Sequence, residues 1–437
     1  GYHHEWSPGN HTLALVGRLD DTFGSRSQAG AVELNRDANG DIFSTRLRPF
    51  NTRYHNDIEG YTAELQQILT LSSHTIVFGG RVQSADSDAR DIMALQRGVF
   101  PGTGVYPTRL HASNGDIERQ SGYIYDMWQV CKPLHLTAGL TYDHLSYPNN
   151  QELSPLSRGD EDQSRLSPKA GFILTPLKDT IVRGAYTRSL GGVFFDNSFR
   201  LEPTAVAGFN QSFRSLAPEA VIGNIPGTRF ETFGLGFDQK FRSETYLTVV
   251  GEVLNSQATR TIGVFNRLSG QIIAVPSSTP AQVDYRERSL SVALNQLVGD
   301  EWAFGARYRL TEADINERLR QIPRSINNPG AIDANVDNEA LLHQIQLYAS
   351  YTHRCGFFSE LLAIWSAQDN RHYSPPLAGD DFWQLNAFAG YRFWQRHAEV
   401  RIGLLNITDQ DYKLNPLTLY SELPRERTFY ASFRFYF

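Results

Sequence analysis

Histidine, cysteine and paired acids are the residues whose chemistry is easiest to recognise from spacing, and here their spacing argues against a reaction centre. The chain has 12 His. His3 and His4 adjoin Trp6 at the end of a strand-like stretch, where an imidazole beside an indole reads as interface anchoring rather than metal binding. His135, His144, His343, His353, His372 and His397 are isolated in sequence. Cys131 and Cys355 sit in CKPLH and RCGFF without a second Cys or a His at zinc-ligand spacing, and both read as turn residues. The acids of GRVQSADSDARD and SRGDEDQ complete no Ca²⁺ loop and read as loop segments facing solvent or another polar surface. Ser, His and Asp are too common to assign a triad without geometry, and no Gly-rich phosphate loop opens a helix. The expectation is no catalytic residue, no metal, no cofactor and no enzymatic role.

The remaining polar side chains are ordered by strands. After Thr428, residues Phe429, Ala431, Phe433, Phe435 and Phe437 fall on one face, and Tyr430, Ser432, Arg434 and Tyr436 on the other. A period of two is a β-strand, because successive side chains leave opposite sides of the pleat. Leu134 to Tyr142, Phe233 to Phe237, Leu247 to Val253 and Ala398 to Leu404 alternate in the same way. Short turns, near residues 7–10, 71–74, 131–134, 176–179, 242–244, 299–301, 355–356 and 395–397, carry turn-forming residues. Between them lie long polar stretches, about 25–56, 92–117, 146–162, 190–227, 266–283, 318–337, 373–380 and 410–423. Short and long connections therefore alternate. A soluble sandwich has no reason to gather its long loops at one end, whereas a membrane barrel does so.

Composition agrees. The chain of 437 residues is rich in Phe (26), Tyr (20) and Gly (35). Its mean hydropathy is -0.38. No run reaches the roughly 18 apolar residues of a membrane helix, a test that a barrel escapes. A net charge of -6 gives no reason to expect nucleic acid as a partner. The expected fold is all-β, a transmembrane antiparallel up-and-down barrel of about 18 strands with short periplasmic turns and long extracellular loops. Residues 1–437 form one barrel domain. Seventeen strands can be placed, starting at 2–6 and 12–20 and ending at 428–437. Antiparallel closure needs an even number, so an additional strand before Gly1, as part of a longer protein, is expected.

Two stretches then resemble TonB-dependent outer-membrane receptors. Near the C-terminus Asn406, Ile407, Asp409 and Tyr412 match an Asn-Ile/Leu-x-Asp-x-x-Tyr element, followed by Pro424, Arg425 and Arg427 and an aromatic last strand. Leu216, Pro218 and Glu219 resemble that family's loop entering a strand through Glu231 and Gly234. The resemblance implies the outer membrane of a Gram-negative bacterium and transport of a solute. Such receptors have about 22 strands and an N-terminal plug. Neither the plug nor a TonB-engaging segment is recognised in this chain. A plugless porin, or an exopolysaccharide exporter whose barrel follows a periplasmic helical-repeat domain, is the second reading.

The polar strand faces name the lumen candidates: Thr141, Asp143, Asp238, Glu252, Glu399, Arg401, Arg434 and Tyr436. Their mixed signs suit neutral polar solutes or a packed plug. Residues 203–220 are the best helix candidate, with Val206, Phe209, Phe213 and Leu216 at helical spacing. These four are the gating-loop candidates, in a segment that either packs against its neighbours or folds into the lumen. Tyr2, Trp6, Tyr123, Tyr125, Trp128, Trp302, Trp383, Phe393 and Trp394 are expected to form the interfacial girdle. Expected partners are outer-membrane lipid and lipopolysaccharide, a TonB-type or other periplasmic protein, and a plug or lipoprotein subunit.

Overall fold

The computed structural model describes residues 1–96, 105–192, 200–211, 225–322, 335–373, 376–394, 397–411 and 426–435. Eight strands come first: β1 (Tyr2–Ser7), β2 (Asn10–Arg36), β3 (Ile42–Leu71), β4 (His74–Leu95), β5 (Arg109–Cys131), β6 (Leu134–Pro148), β7 (Asp160–Leu177) and β8 (Thr180–Leu190). A small hairpin follows, β9 (Ala205–Val206) and β10 (Phe209–Asn210). The wall then resumes with β11 (Arg229–Lys240), β12 (Thr245–Leu268), β13 (Val275–Val298), β14 (Trp302–Leu319) and β15 (Val336–Thr352). It ends with β16 (Phe357–Arg371), β17 (Asp380–Phe393), β18 (Ala398–Leu405) and β19 (Thr428–Phe435).

Seventeen strands form one sheet, and the hairpin forms its own. Sequential neighbours pair antiparallel, with β8 passing directly to β11. The outermost strands β1 and β19 run in the same direction, as an odd count requires.

Seven of the eight expected short turns are in place, the turn over 395–397 falling partly outside the described residues, and Cys131 and Cys355 are exposed free thiols beside two of them. The long stretches are a correction. β2 and β3 run for 27 and 30 residues, so the connection expected over 25–56 shrinks to 37–41. A membrane crossing takes only about 9–11 residues. Polar composition there signalled exposure to water, not loop conformation, because the two halves of the hairpin satisfy each other's backbone groups.

Chemistry changes along these strands while alternation keeps its phase. Toward the short turns the outward side chains are apolar and exposed, such as Leu65, Val82, Ile124, Leu140, Leu235 and Phe433. Their inward neighbours are polar and buried, such as Glu64, Gln66, Arg81 and Thr141. Toward the long connections the pattern reverses. Outward positions carry exposed ion pairs, Arg18–Glu59 at 2.8 Å and Arg288–Glu312 at 2.9 Å. Inward positions form an apolar core of Ile58, Ala85, Ile117, Leu145, Tyr147 and Leu190. The lower half is built for lipid outside and water inside, and the upper half for the opposite.

At the long-connection end β2 and β12 meet. Residues 32–36 pair with 264–268 in parallel register, and Leu34, Val264, Ala281 and Leu319 are buried together there. Glu33, fully buried, lies between Arg48 at 2.7 Å and Arg267 at 2.9 Å.

The reversal predicts opposite tolerance to one charge at two outward sites. Leu65→Arg, in the apolar half, should lower the free energy of folding into phospholipid vesicles by about 2–4 kcal/mol. Ser84→Arg, just above the reversal, should change it by about 0–1 kcal/mol. Equal costs in urea unfolding would disprove the assigned boundary.

Candidate functional site: a segment held inside the barrel

Within the connection between β8 and β11, residues 200–211 lie against the lumen face of seven wall strands, β3 to β8 and β11. Side chains of β3 and β8 hold its backbone, and those of β5, β6 and β7 hold the Glu202 side chain. The Glu64 carboxylate accepts from the backbone N–H of Leu201 at 2.8 Å and of Glu202 at 2.9 Å. Tyr123 donates its hydroxyl to Glu64 at 2.7 Å, and Gln66 donates to the Leu201 carbonyl at 2.7 Å. Ser189 on β8 donates to the Gln211 carbonyl at 2.6 Å, closing the far end.

Glu202 is the segment's own anchor. Its carboxylate accepts from the Tyr125 hydroxyl at 2.6 Å and the Thr141 hydroxyl at 2.9 Å. Arg200 pairs with it at 3.0 Å and Lys169 at 3.4 Å. Burial pushes the Glu202 carboxyl up, but Arg200, Lys169 and the Tyr125 hydroxyl outweigh it and hold it at about 2. A depressed carboxylate stabilises the bound state fully above its ordinary value, about 4.3, and loses that contribution as pH falls through about 2.

Between these anchors β9 and β10 make a tight hairpin. Ala207 and Gly208 both have positive φ, 48° and 80°, as the two central residues of a type I′ turn require. Val206 is buried against Val77, Tyr123 and Tyr125. Phe209 lies over Gly234, where an added Cβ would collide with its ring. Arg183 stacks on Phe209, 4.8 Å from the ring centre, and donates to the Gly208 carbonyl at 3.2 Å.

The helix expected over 203–220 is therefore corrected for its described part. Val206 and Phe209 have helical spacing, but the left-handed turn between them reverses the chain. Phe213, Leu216 and Tyr436 lie outside the described residues.

Thr141 and Asp143 are buried on the inward face of β6, Thr141 on Glu202 and Asp143 on Arg119 at 2.8 Å. Asp238 pairs with Arg183 at 3.2 Å and accepts from Thr248 at 2.7 Å, beside the hairpin. Glu252 is the register partner of Gly234 and shares its face. Glu399, Arg401 and Arg434 sit apart from these, on β18 and β19. Arg392 reaches Glu399 at 2.8 Å, Arg401 reaches Glu360 at 3.2 Å, and Arg434 is the register partner of Glu399. The sequence candidates are thus spread over two regions of wall.

The girdle expectation is corrected at Tyr123 and Tyr125. Both are buried and point inward, because the exposed outward residue is Ile124 between them. Strand parity would have told them apart from Trp128, Trp302 and Trp394, which are exposed near the short turns. Glu64, Glu202 and Lys169 were not singled out at all. No cluster of three or more His, Cys, Asp or Glu residues able to hold a metal ion occurs among the described residues.

An inverted wall, apolar outside and polar within over its membrane half, defines an outer-membrane β-barrel. The family model for the TonB dependent receptor-like beta-barrel matches residues 1–407, and the chain belongs to that family, located in the Gram-negative outer membrane. Similar solved structures include the copper transporter OprC, at 13% identity and TM-score 0.53, over 98% of this chain and 69% of that one. The ferric-catecholate import receptor Fiu from E. coli K12, in its closed form, matches at 14% identity and TM-score 0.56, over 100% of this chain and 63% of that one. The ferric citrate transporter FecA, unliganded, matches at 13% identity and TM-score 0.53, over 94% of this chain and 56% of that one. At these identities the likeness is one of fold. No curated protein sequence matches the chain.

Asn406 and Asp409, from the family-like element, fix the two described ends of the last connection. Asn406 donates its backbone N–H to Asn386 at 2.8 Å, and Asp409 accepts from the backbone N–H of Arg427 at 2.8 Å.

Glu64→Ala should free the segment, since two buried backbone N–H groups would lose their acceptor at about 1–3 kcal/mol each. Tryptic cleavage after Arg200 in the folded barrel should then accelerate more than tenfold. In the unaltered protein that cleavage should stay slow and show no step caused by Glu202 protonation between pH 6 and 8. Equal cleavage rates in the two proteins would show that Glu64 does not hold the segment.

Proposed function

We propose that this chain is the wall of an outer-membrane uptake receptor whose lumen is gated by segment 200–211. The observation that carries the reading is the Glu64 carboxylate gripping the backbone of Leu201 and Glu202 inside the barrel. A grip on backbone fixes position, which is what a gate requires. Thr141, Asp143, Asp238 and Glu252 then line the route beside the gate, and Glu399, Arg401 and Arg434 line the opposite wall. Val206 and Phe209 are the gate's apolar seal.

Family membership supports energised uptake, with a TonB-type periplasmic partner and a plug. The plug is proposed as a further segment or a separate subunit, with lipid and lipopolysaccharide around the wall. The solute class proposed is polar, in keeping with the mixed charges. The chemistry is transport alone, with no bond made or broken. Constant conductance would instead favour the porin or exporter reading.

Planar-bilayer recording of the purified chain tests this. The unaltered protein should conduct little or only in brief openings. The double variant Glu64→Ala, Glu202→Ala should conduct steadily, at least fivefold more on average. Steady conductance in both proteins, or none in either, would overturn the gating role of the segment.

A further inference from the structure

A groove of about 1080 Å³ opens where β8 ends at Leu190 and β11 begins at Arg229. Its far side is formed by the longer strands β12 to β15. It lies at the long-connection end, away from Glu64 and Glu202. Three guanidinium groups gather at its β7–β8–β11 side: Arg165, Arg188 and Arg229.

These three are incompletely neutralised. Arg188 pairs with Glu231 at 3.0 Å, and Tyr186 also donates to that carboxylate at 2.6 Å. Arg165 donates one Nη2 hydrogen to the Phe230 carbonyl at 3.4 Å, while its Nη1 is buried and has no partner. Arg229 makes no ion pair among the described residues. At this end three guanidinium groups face the one carboxylate of Glu231, whereas the β13 to β15 side carries Asp284, Asp314, Asp337 and Glu339 with Arg286, so the groove is cationic at one end and acidic at the other. Buried, unpaired guanidinium hydrogens cost free energy, and a polyoxygen anion is the ligand whose geometry relieves it. Amide side chains, Asn255 and Gln257, follow along the groove and suit hydroxyl groups attached to that anion.

We infer that Arg165, Arg188 and Arg229 form an anion site that takes a phosphate group carried on a hydroxylated scaffold. Its position narrows the source to two. Leu166 and Phe233, two residues along from Ser164 and Glu231 and on the same faces, are exposed members of the outward apolar belt. The site therefore stands at the height of phosphorylated lipid headgroups in the outer leaflet, and it is also open to phosphorylated solutes from outside.

Isothermal titration calorimetry on the full chain in detergent separates the sources. The probes are inorganic phosphate, glucose 6-phosphate, lipid A in mixed micelles, and the same lipid A with its phosphates removed. Binding of lipid A that is lost on dephosphorylation assigns the headgroup. Binding of glucose 6-phosphate or phosphate without lipid A assigns a free solute. In either case Arg229→Gln should weaken binding at least tenfold, and rising salt should weaken it further. Arg229 is exposed, so this variant should fold. Arg354→Gln, at an exposed pair on a short turn, should leave binding unchanged. Arg229→Gln should also leave the bilayer conductance unchanged, which keeps this site distinct from the gate. Absence of binding by every probe, or binding indifferent to Arg229→Gln, would overturn the assignment.

Discussion

A chain crossing hydrocarbon must satisfy every backbone N–H and C=O within itself, and that constraint governs this protein. Strand pairing meets it here through an unbroken succession of registers from β1 to β19. Pairing says nothing about which side chains face which way, so alternation is free to serve either solvent. In β3 it serves both. Tyr61, Ala63 and Leu65 face outward below, and Asp57 and Glu59 face outward above on the same side of the same strand. The membrane boundary is thus written into side-chain chemistry, while the backbone runs through it without interruption.

The same rule explains why a polar segment can sit inside. Segment 200–211 is not in regular pairing with the wall, so its backbone needs other partners. Glu64, Gln66 and Ser189 supply them from the inward polar face. Removing a single partner from such a network leaves a buried group unsatisfied and costs several kcal/mol. Moving the whole segment out lets water reach Glu64, Glu202, Lys169 and Arg200 together, and the net change is far smaller, because desolvation offsets most of the pair energy. A network of this kind resists local damage more than release as a unit, which is the behaviour the proposed gate needs.

Much of this was legible in the sequence, for one reason. The alternation in ERTFYASFRFYF and AEVRIGLL is local, and a period of two survives without tertiary information. Turns were legible because Gly, Pro and Asn mark them. The reach of the strands was not, because Ser, Asp and Asn are common both in loops and on a watered sheet face. Tyr123 and Tyr125 were misread because an aromatic near a strand end is ambiguous until parity is fixed by Ile124. Val206 and Phe209 were drawn to the right segment but the wrong conformation. Their spacing of three fits a helix and a two-residue hairpin alike, and only the positive φ at Ala207 and Gly208 decides. Glu64 and Glu202 were invisible because they are 138 residues apart and meet only through the fold.

The proposed gate and the proposed anion site share one structural cause. β8 and β11 have 11 and 12 residues, whereas β12 and β13 have 24 each. Short strands at one point of the wall leave a long connection, of which residues 200–211 lie against the polar lumen face. They also leave a notch in the upper wall, because the neighbouring strands continue past them. The upper edge of β12 above the notch is free of β11, and β2 occupies it through residues 32–36. Lengthening β8 and β11 would remove all three features together: the slack that lets 200–211 reach Glu64, the recess that gathers Arg165, Arg188 and Arg229, and the free edge that receives β2. On this reading, the position of two short strands beside the taller β12 and β13 sets both where the proposed gate closes the barrel from within and where the proposed anion site opens from without.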